Sequence, residues 1–132
     1  MILVDSCVLI DVIEGDVNWA DWSAGQLHRY RRATGLAINL IIYAEIAKSF
    51  DSLQRLDEFI ADLRLEVADI PRAAAWHAAS VHLAYRRNRG TMSVTLADFF
   101  IGAHAHAETC PILTRDTKRF ATYFPRVKLI TP

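Results

Sequence analysis

Short apolar runs alternate with longer, helix-like patterns along the chain. The runs are too short for helices and are mostly apolar, so we predict that they are strands. They cover residues 1–4, 36–38, 65–67, 111–114 and 127–130. Between them, apolar residues recur at offsets of three and four, which is typical of helices with one buried face. The predicted helices cover about residues 8–13, 17–33, 39–50, 53–63, 71–87 and 95–103.

The long predicted helix at residues 71–87 has a clear start and a clear end. Pro71 fits its first turn, where a missing N–H costs no hydrogen bond. Trp76, Ala79 and Leu83 fall on one face of this helix. We expect Gly90 to end it, because glycine breaks a helical pattern.

Strands that are short, mostly apolar and separated by helices are typical of a parallel sheet with both faces covered. We therefore predict an α/β fold with three layers, in which helices flank a central short-stranded parallel sheet. The chain has 132 residues. A chain of this length supports one core, so we expect a single domain over residues 1–132.

The chain lacks the strongly basic net charge of a passive nucleic-acid binder, because 15 basic residues balance 15 acidic ones. Contact with a nucleic acid must then come from local basic clusters, which are residues 86–89 and the group Arg115, Lys118 and Arg119. Arg115 is the better placed, because its neighbour Asp116 follows a predicted strand, and we predict that it contacts a nucleic-acid phosphate. Solvated helix ends remain the alternative for these clusters.

Cysteine usage and hydropathy set the expected compartment. Cys7 and Cys110 lie far apart in an apolar-rich chain, which favours reduced thiols over a disulfide framework. No run reaches the roughly 20 apolar residues of a membrane span. We expect a soluble cytoplasmic protein without membrane contact.

Acidic residues occur where the predicted strands end. Asp5 follows the first strand, and Asp116 follows the strand at 111–114. Glu45 and Asp98 lie early in helices that can start at the same edge. Ligands of open parallel sheets bind beyond the carboxyl ends of the strands, so these four acids can converge on one site.

Carboxylates gathered at one point need a counter-charge, since like charges raise each other's pKa. Mg²⁺ and Mn²⁺ prefer oxygen ligands of this kind, whereas zinc prefers cysteine and histidine. A metal held in this way can activate water for phosphodiester cleavage. The alternative is that Asp5 or Ser6, Asp98 with Thr95, and Asp116 cap helices, and that Glu45 is solvated.

The sequence closely resembles the PIN-domain ribonucleases, and among them the VapC-type toxins of bacterial toxin–antitoxin pairs. The matching segments are residues 2–11 (ILVDSCVLID), 39–45 (NLIIYAE), 96–105 (LADFFIGAHA) and 113–116 (LTRD). Their order and spacing agree with the family over nearly the whole chain. Ala97 stands where family members often have proline, a departure that removes no carboxylate.

The resemblance implies a PIN-like fold and a Mg²⁺- or Mn²⁺-dependent endoribonuclease. It implies that Asp5 and Asp98 bind the metal directly, and that Asp116 binds it directly or through water. It implies that Glu45 binds through water or acts as the base that orients the attacking water. Ser6 and Thr114 resemble the hydroxyl residues that support such a site. The residues that the resemblance implies for the site are therefore Asp5, Ser6, Glu45, Asp98, Thr114 and Asp116. It also implies a VapB-type antitoxin, a homodimer and an RNA substrate.

Two other functions compete with this interpretation. One is a catalytically silent PIN-like module that binds RNA or protein, against which the intact set of acids argues. The other is a phosphotransfer or phosphatase domain, which needs a D-x-D motif after the first strand. This chain has Asp5-Ser6-Cys7 there. Asp11, on the first helix, is interpreted as part of an exposed face rather than as a ligand.

Overall fold

The computed structural model describes residues 1–89 and 94–132. The described residues form five strands and seven helices. In chain order they are β1 (Ile2–Val4), α1 (Ser6–Glu14), α2 (Ala20–Ala33), β2 (Leu36–Ile38), α3 (Leu40–Ala47), α4 (Leu53–Asp62), β3 (Leu65–Val67), α5 (Arg72–Arg89), α6 (Leu96–Glu108), β4 (Ile112–Leu113), α7 (Thr117–Tyr123) and β5 (Leu129–Ile130).

The strands form one five-stranded parallel sheet in the order β3-β2-β1-β4-β5. The central strand pairs on both sides, with Leu3 opposite Ala37 of β2 and Ile112 of β4. Ile2, Leu3 and Val4 are all buried. Because successive side chains of a strand point to opposite faces, this burial means that both faces of the sheet are covered. The predicted α/β fold is confirmed.

Strand order changes direction at β1. The chain builds outward from β1 through β2 and β3, and then returns to the other side of β1 to add β4 and β5. The carboxyl ends of β1 and β4 therefore border the crevice where open parallel sheets bind ligands.

The second helix begins three residues later than the pattern predicts. Oδ1 of Asp16 accepts hydrogen bonds from the backbone N–H groups of Asn18 and Trp19, both at 2.9 Å. This local turn competes with the helix, which begins at Ala20. The strands β4 and β5 are also shorter than predicted: β4 lacks residues 111 and 114, and β5 lacks residues 127 and 128.

The buried face of α5 is not the face that carries Trp76 and Leu83. Trp76 is 79% exposed and Leu83 is 50% exposed, whereas Ala74 and Ala78 are fully buried. Tyr85 of α5 is buried as well, with its ring against that of Phe99 of α6. The predicted helix end at Gly90 lies outside the described residues. Of the described helices, none combines the length and apolar character needed to cross a membrane.

Candidate active site

Three aspartates surround the guanidinium of Arg119 at the carboxyl edge of the sheet. Nη1 of Arg119 donates to Oδ1 of Asp98 at 2.9 Å. Nη2 lies 3.4 Å from Oδ2 of Asp5, and Nε lies 3.5 Å from Oδ2 of Asp116. The guanidinium also lies over the ring of Phe120, 4.5 Å from its centroid. Acidic residues that lie up to 111 residues apart in the sequence thus contact the same cation.

Each of these aspartates also caps a helix, with the oxygen that does not face Arg119. Oδ1 of Asp5 accepts from the N–H of Ser6 at 2.9 Å, at the start of α1. Oδ2 of Asp98 accepts from the N–H and hydroxyl of Thr95, both at 2.8 Å, at the start of α6.

Asp116 repeats this arrangement at the start of α7. Its Oδ1 accepts from the N–H of Arg119 at 3.1 Å, while its Oδ2 is the oxygen nearer the Arg119 side chain. The capping interpretation is therefore correct for Asp5, Asp98 and Asp116. It does not exclude a site, because one oxygen of each carboxylate remains directed at the cluster.

Glu45 lies in the second turn of α3 and is half-buried. Burial raises the pKa of its carboxyl above the usual range, and the negative charges of Asp5 and Asp98 raise it further. A hydrogen bond with Ser6 and the charge of Arg119 act in the opposite direction. Glu45 therefore belongs to the same electrostatic group as the aspartates. We call Asp5, Glu45, Asp98 and Asp116 the carboxylate cluster.

Two hydroxyl side chains support the carboxylate cluster. The buried Thr114 hydroxyl donates to Oδ2 of Asp5 at 2.7 Å and accepts from the N–H of Asp116 at 2.9 Å. It therefore fixes the β4–α7 connection against the end of β1. Ser6 hydrogen-bonds to Glu45, which links α1 to α3.

Cys7 is a further neighbour of the cluster that the sequence did not indicate. Its Sγ lies 3.4 Å from Oδ2 of Asp5 and 3.7 Å from the hydroxyl of Thr114. Burial, and then the charge of Asp5, raise the pKa of the thiol to about 11. The protonated thiol donates to the carboxylate, and the group is not a nucleophile at neutral pH.

Arg115 points away from the cluster. Its Nε and Nη2 donate to the two oxygens of Asp11 at 2.7 and 2.8 Å, and its guanidinium lies 5.1 Å from the ring centroid of Trp19. Ser23 also donates to Asp11, at 2.7 Å. Asp11 is 3% exposed, so its interpretation as part of an exposed face is wrong. The bidentate ion pair joins the β4–α7 connection to α1 and α2.

Residues 2–125 match the PIN domain family. The chain belongs to that family. No curated protein sequence matches this PIN domain significantly.

Solved structures of similar fold cover the whole PIN domain. VapBC2 from Rickettsia felis, bound to a DNA fragment from their promoter, gives a TM-score of 0.74 at 18% identity, over 99% of this chain and 98% of that chain. A toxin–antitoxin complex from Klebsiella pneumoniae gives 0.73 at 24% identity, over 100% and 98%. FitAcB from Neisseria gonorrhoeae gives 0.68 at 18% identity, over 100% and 98%. At these identities the likeness shows a shared fold.

The donor atoms of the carboxylate cluster suit a hard divalent cation, because all are carboxylate oxygens and its three aspartates already contact one cation. Within residues 1–89 and 94–132, however, no three His, Cys, Asp or Glu side chains converge as ready metal ligands. The physical reason is Arg119, whose three nitrogens hold the aspartates around a group wider than a metal ion.

Arg119 is the residue of this PIN domain that sequence reasoning missed. The sequence places it in a basic cluster with Arg115 and Lys118, whereas the structure places its guanidinium among the acids. Its spacing of three from Asp116 on a helix was an available signal, since residues three apart are neighbours on the helix surface.

Proposed function

We propose that this PIN domain is a metal-dependent endoribonuclease and the toxin of a VapBC-type toxin–antitoxin pair. One observation carries the proposal. Asp5, Asp98 and Asp116 each direct one oxygen at a single cation, at the edge of a parallel sheet where ligands bind.

We propose a role for each acid of the carboxylate cluster. Oδ2 of Asp5 and Oδ1 of Asp98 would bind Mg²⁺ or Mn²⁺ directly, because the other oxygen of each caps a helix. Asp116 would bind directly or through water, since it is the most exposed of the three at 43%. A bound metal supplies water activation and stabilises negative charge on phosphodiester oxygens.

Glu45 would accept the proton of the attacking water or hold a metal-bound water in place. Its raised pKa suits a general base better than that of an ordinary carboxylate, because proton transfer is most effective near the operating pH. Thr114 and Ser6 would hold Asp5 and Glu45 in place through the hydrogen bonds described above.

RNA is the proposed substrate. The balanced overall charge leaves phosphate contact to individual side chains at the rim of the cluster. Arg115 is our candidate for one such contact, because its side chain is 29% exposed beside Asp116 while two of its nitrogens bind Asp11. Lys118 is exposed on the next turn.

The toxin role rests on the sequence resemblance and on the solved complexes of the same fold. One of them is a toxin–antitoxin complex and another is VapBC2, and the chains matched in both are covered almost completely by this one. We therefore propose a VapB-type antitoxin partner, a homodimer and a cytoplasmic location.

A second candidate function is a catalytically silent module that binds RNA or protein. The observation that favours it is the guanidinium of Arg119 inside the cluster, where a nuclease needs its metal. The two candidates differ in whether the protein cuts RNA when the metal is supplied.

An RNA cleavage assay separates the two candidate functions. Purified protein is incubated with total cellular RNA and Mn²⁺ or Mg²⁺, and the new 5′ ends are sequenced. Asp98→Asn removes the charge of a cluster acid, and Asp62→Asn makes the same change at an exposed position of α4. We expect discrete cuts from the wild type and from Asp62→Asn, and none from Asp98→Asn or with a chelator. Cuts that persist in Asp98→Asn would contradict the proposed site. The absence of cuts, in a protein that also binds no metal, would favour the silent module.

A further inference from the structure

Arg119 is bound to the very oxygens that the proposed metal needs. Its side chain is 20% exposed and reaches Oδ1 of Asp98, Oδ2 of Asp5 and Oδ2 of Asp116. Its charge also lowers the pKa of Glu45, so all four acids are within its field.

The remaining oxygens of the three aspartates are committed to helix caps. Oδ1 of Asp5, Oδ2 of Asp98 and Oδ1 of Asp116 accept backbone N–H groups at 2.9, 2.8 and 3.1 Å. Loss of such a cap destabilises a helix by about 1 kcal/mol. The carboxylates therefore cannot easily rotate to serve a metal and the guanidinium with different oxygens.

The contacts of Arg119 are those of a cation that can leave. One of them, to Asp98, is a short hydrogen bond at 2.9 Å, whereas the other two are 3.4 and 3.5 Å long. Nε is buried and makes no hydrogen bond, although it lies near Asp116. An unsatisfied buried N–H costs free energy, which weakens the hold of the guanidinium on the cluster.

We propose that Arg119 is an internal cation that neutralises the carboxylate cluster in the metal-free protein and leaves it when a divalent metal binds. The inference rests on the proposed metal site. It assigns Arg119 a defined effect: the side chain competes with the metal, and so it sets the metal concentration at which the cluster is loaded.

The test is a titration with Mn²⁺ alone. Binding is measured by calorimetry and by the electron paramagnetic resonance signal of free Mn²⁺. Arg119→Gln removes the competing charge. Lys118→Gln makes the same change of charge at the preceding, exposed position of α7. We expect Arg119→Gln to bind Mn²⁺ at least roughly tenfold more tightly than wild type, because a charge in direct contact with the ligands is removed. We expect Lys118→Gln to stay within about twofold of wild type, since exposed charges are screened.

Thermal melting gives a second, independent measurement. In EDTA, Arg119→Gln should melt below wild type, because the cluster has lost its cation, and Mn²⁺ should raise its melting temperature more than it raises that of wild type. If Arg119→Gln does not fold, Arg119→Lys serves in its place, since lysine keeps the charge but loses the forked contact with three carboxylates. Its affinity for Mn²⁺ should then exceed that of wild type.

The outcomes separate this inference from the proposed function. Equal or weaker Mn²⁺ binding by Arg119→Gln, with Mn²⁺ bound by wild type, would overturn the role of Arg119 and leave the nuclease proposal in place. Absence of Mn²⁺ binding in wild type and in both variants would overturn the metal site together with it.

Discussion

The side-chain amide of Asn39 donates a hydrogen bond to Nδ1 of His104 across 3.1 Å. The direction follows from the other bonds of Asn39, whose Oδ1 accepts the N–H groups of Ile41 and Ile42 at 3.0 Å each. His104 must therefore be neutral, with its proton on Nε2. This bond joins the start of α3, which carries Glu45, to α6, which carries Asp98.

Stability should fall in mild acid because of His104. Burial lowers the pKa of this fully buried ring below its ordinary 6.5. At pH values between 6.5 and the lowered pKa, His104 is protonated in the unfolded chain but not in the folded protein. The free energy of unfolding therefore decreases as the pH falls through that range. Urea unfolding of wild type and His104→Gln at several pH values measures the effect.

The variant His104→Gln should lose part of the pH slope, because glutamine can accept the Asn39 bond without titrating. His28→Gln, at an exposed position of α2, serves as the control and should keep the wild-type slope. A His104→Gln slope equal to that of wild type would show that the buried histidine does not govern acid sensitivity.

The ion pair between Arg115 and Asp11 should contribute strongly to stability. Arg115→Ala leaves the buried Asp11 charge with only Ser23 as a donor among the groups described above, and we expect a loss of about 3 kcal/mol in the free energy of unfolding. The double variant with Asp11→Asn should lose less than the sum of the single losses. Arg126→Ala, at an exposed position, should change stability by less than about 0.5 kcal/mol.

Arg115→Ala also tests the proposed phosphate contact, when assayed at a temperature where it is folded. We expect slower RNA cleavage with unchanged Mn²⁺ affinity, because Arg115 makes its hydrogen bonds to Asp11 rather than to the carboxylate cluster. Cleavage at the wild-type rate would remove Arg115 from the RNA-binding surface and leave it a purely structural role.

Two glycines on different helices should respond oppositely to alanine. A Cβ at Gly102 of α6 would overlap the buried ring of Phe124, so Gly102→Ala should destabilise the protein by about 2 kcal/mol or more. A Cβ at Gly25 of α2 meets no atom within 4 Å, so Gly25→Ala should stabilise it by about 0.5–1 kcal/mol. Chemical denaturation of both variants gives the comparison, and a stabilised Gly102→Ala would contradict the close packing at Phe124.

Cys7 should react slowly with alkylating reagents. Its pKa of about 11, against 9.0 for an unperturbed thiol, reduces the thiolate fraction near pH 8 by roughly a hundredfold. Iodoacetamide labelling, read by mass spectrometry, should therefore be far slower in the folded protein than in urea. Asp5→Asn should label faster than wild type, because it removes one of the charges that raise the pKa. Equal rates in the two would show that Asp5 does not act on the thiol.

Much of the fold could be predicted because its signals are local. The apolar runs at 36–38 and 65–67 coincide with β2 and β3 in the structure. Failures arose where a tertiary or side-chain interaction competes with periodicity. The Asp16 turn delays α2, and Trp76 lies off the face of α5 that packs on the core.

The candidate site shows the same division. The positions of Asp5 and Asp116 after strands could be predicted from the general geometry of parallel sheets. The contacts of Arg119 with Asp5 and Asp98, and of Arg115 with Asp11, could not be predicted, because an arginine side chain reaches partners that are distant in sequence. Composition indicates that such charges exist but not which of them are paired.

The three helix caps have an electrostatic consequence of their own. The N-termini of α1, α6 and α7 all point at the carboxylate cluster, through Asp5, Asp98 and Asp116. Each helix N-terminus acts as about half a positive charge, owing to its aligned peptide dipoles. The backbone thus provides a positive potential at this edge of the sheet, which chelation of a metal does not remove.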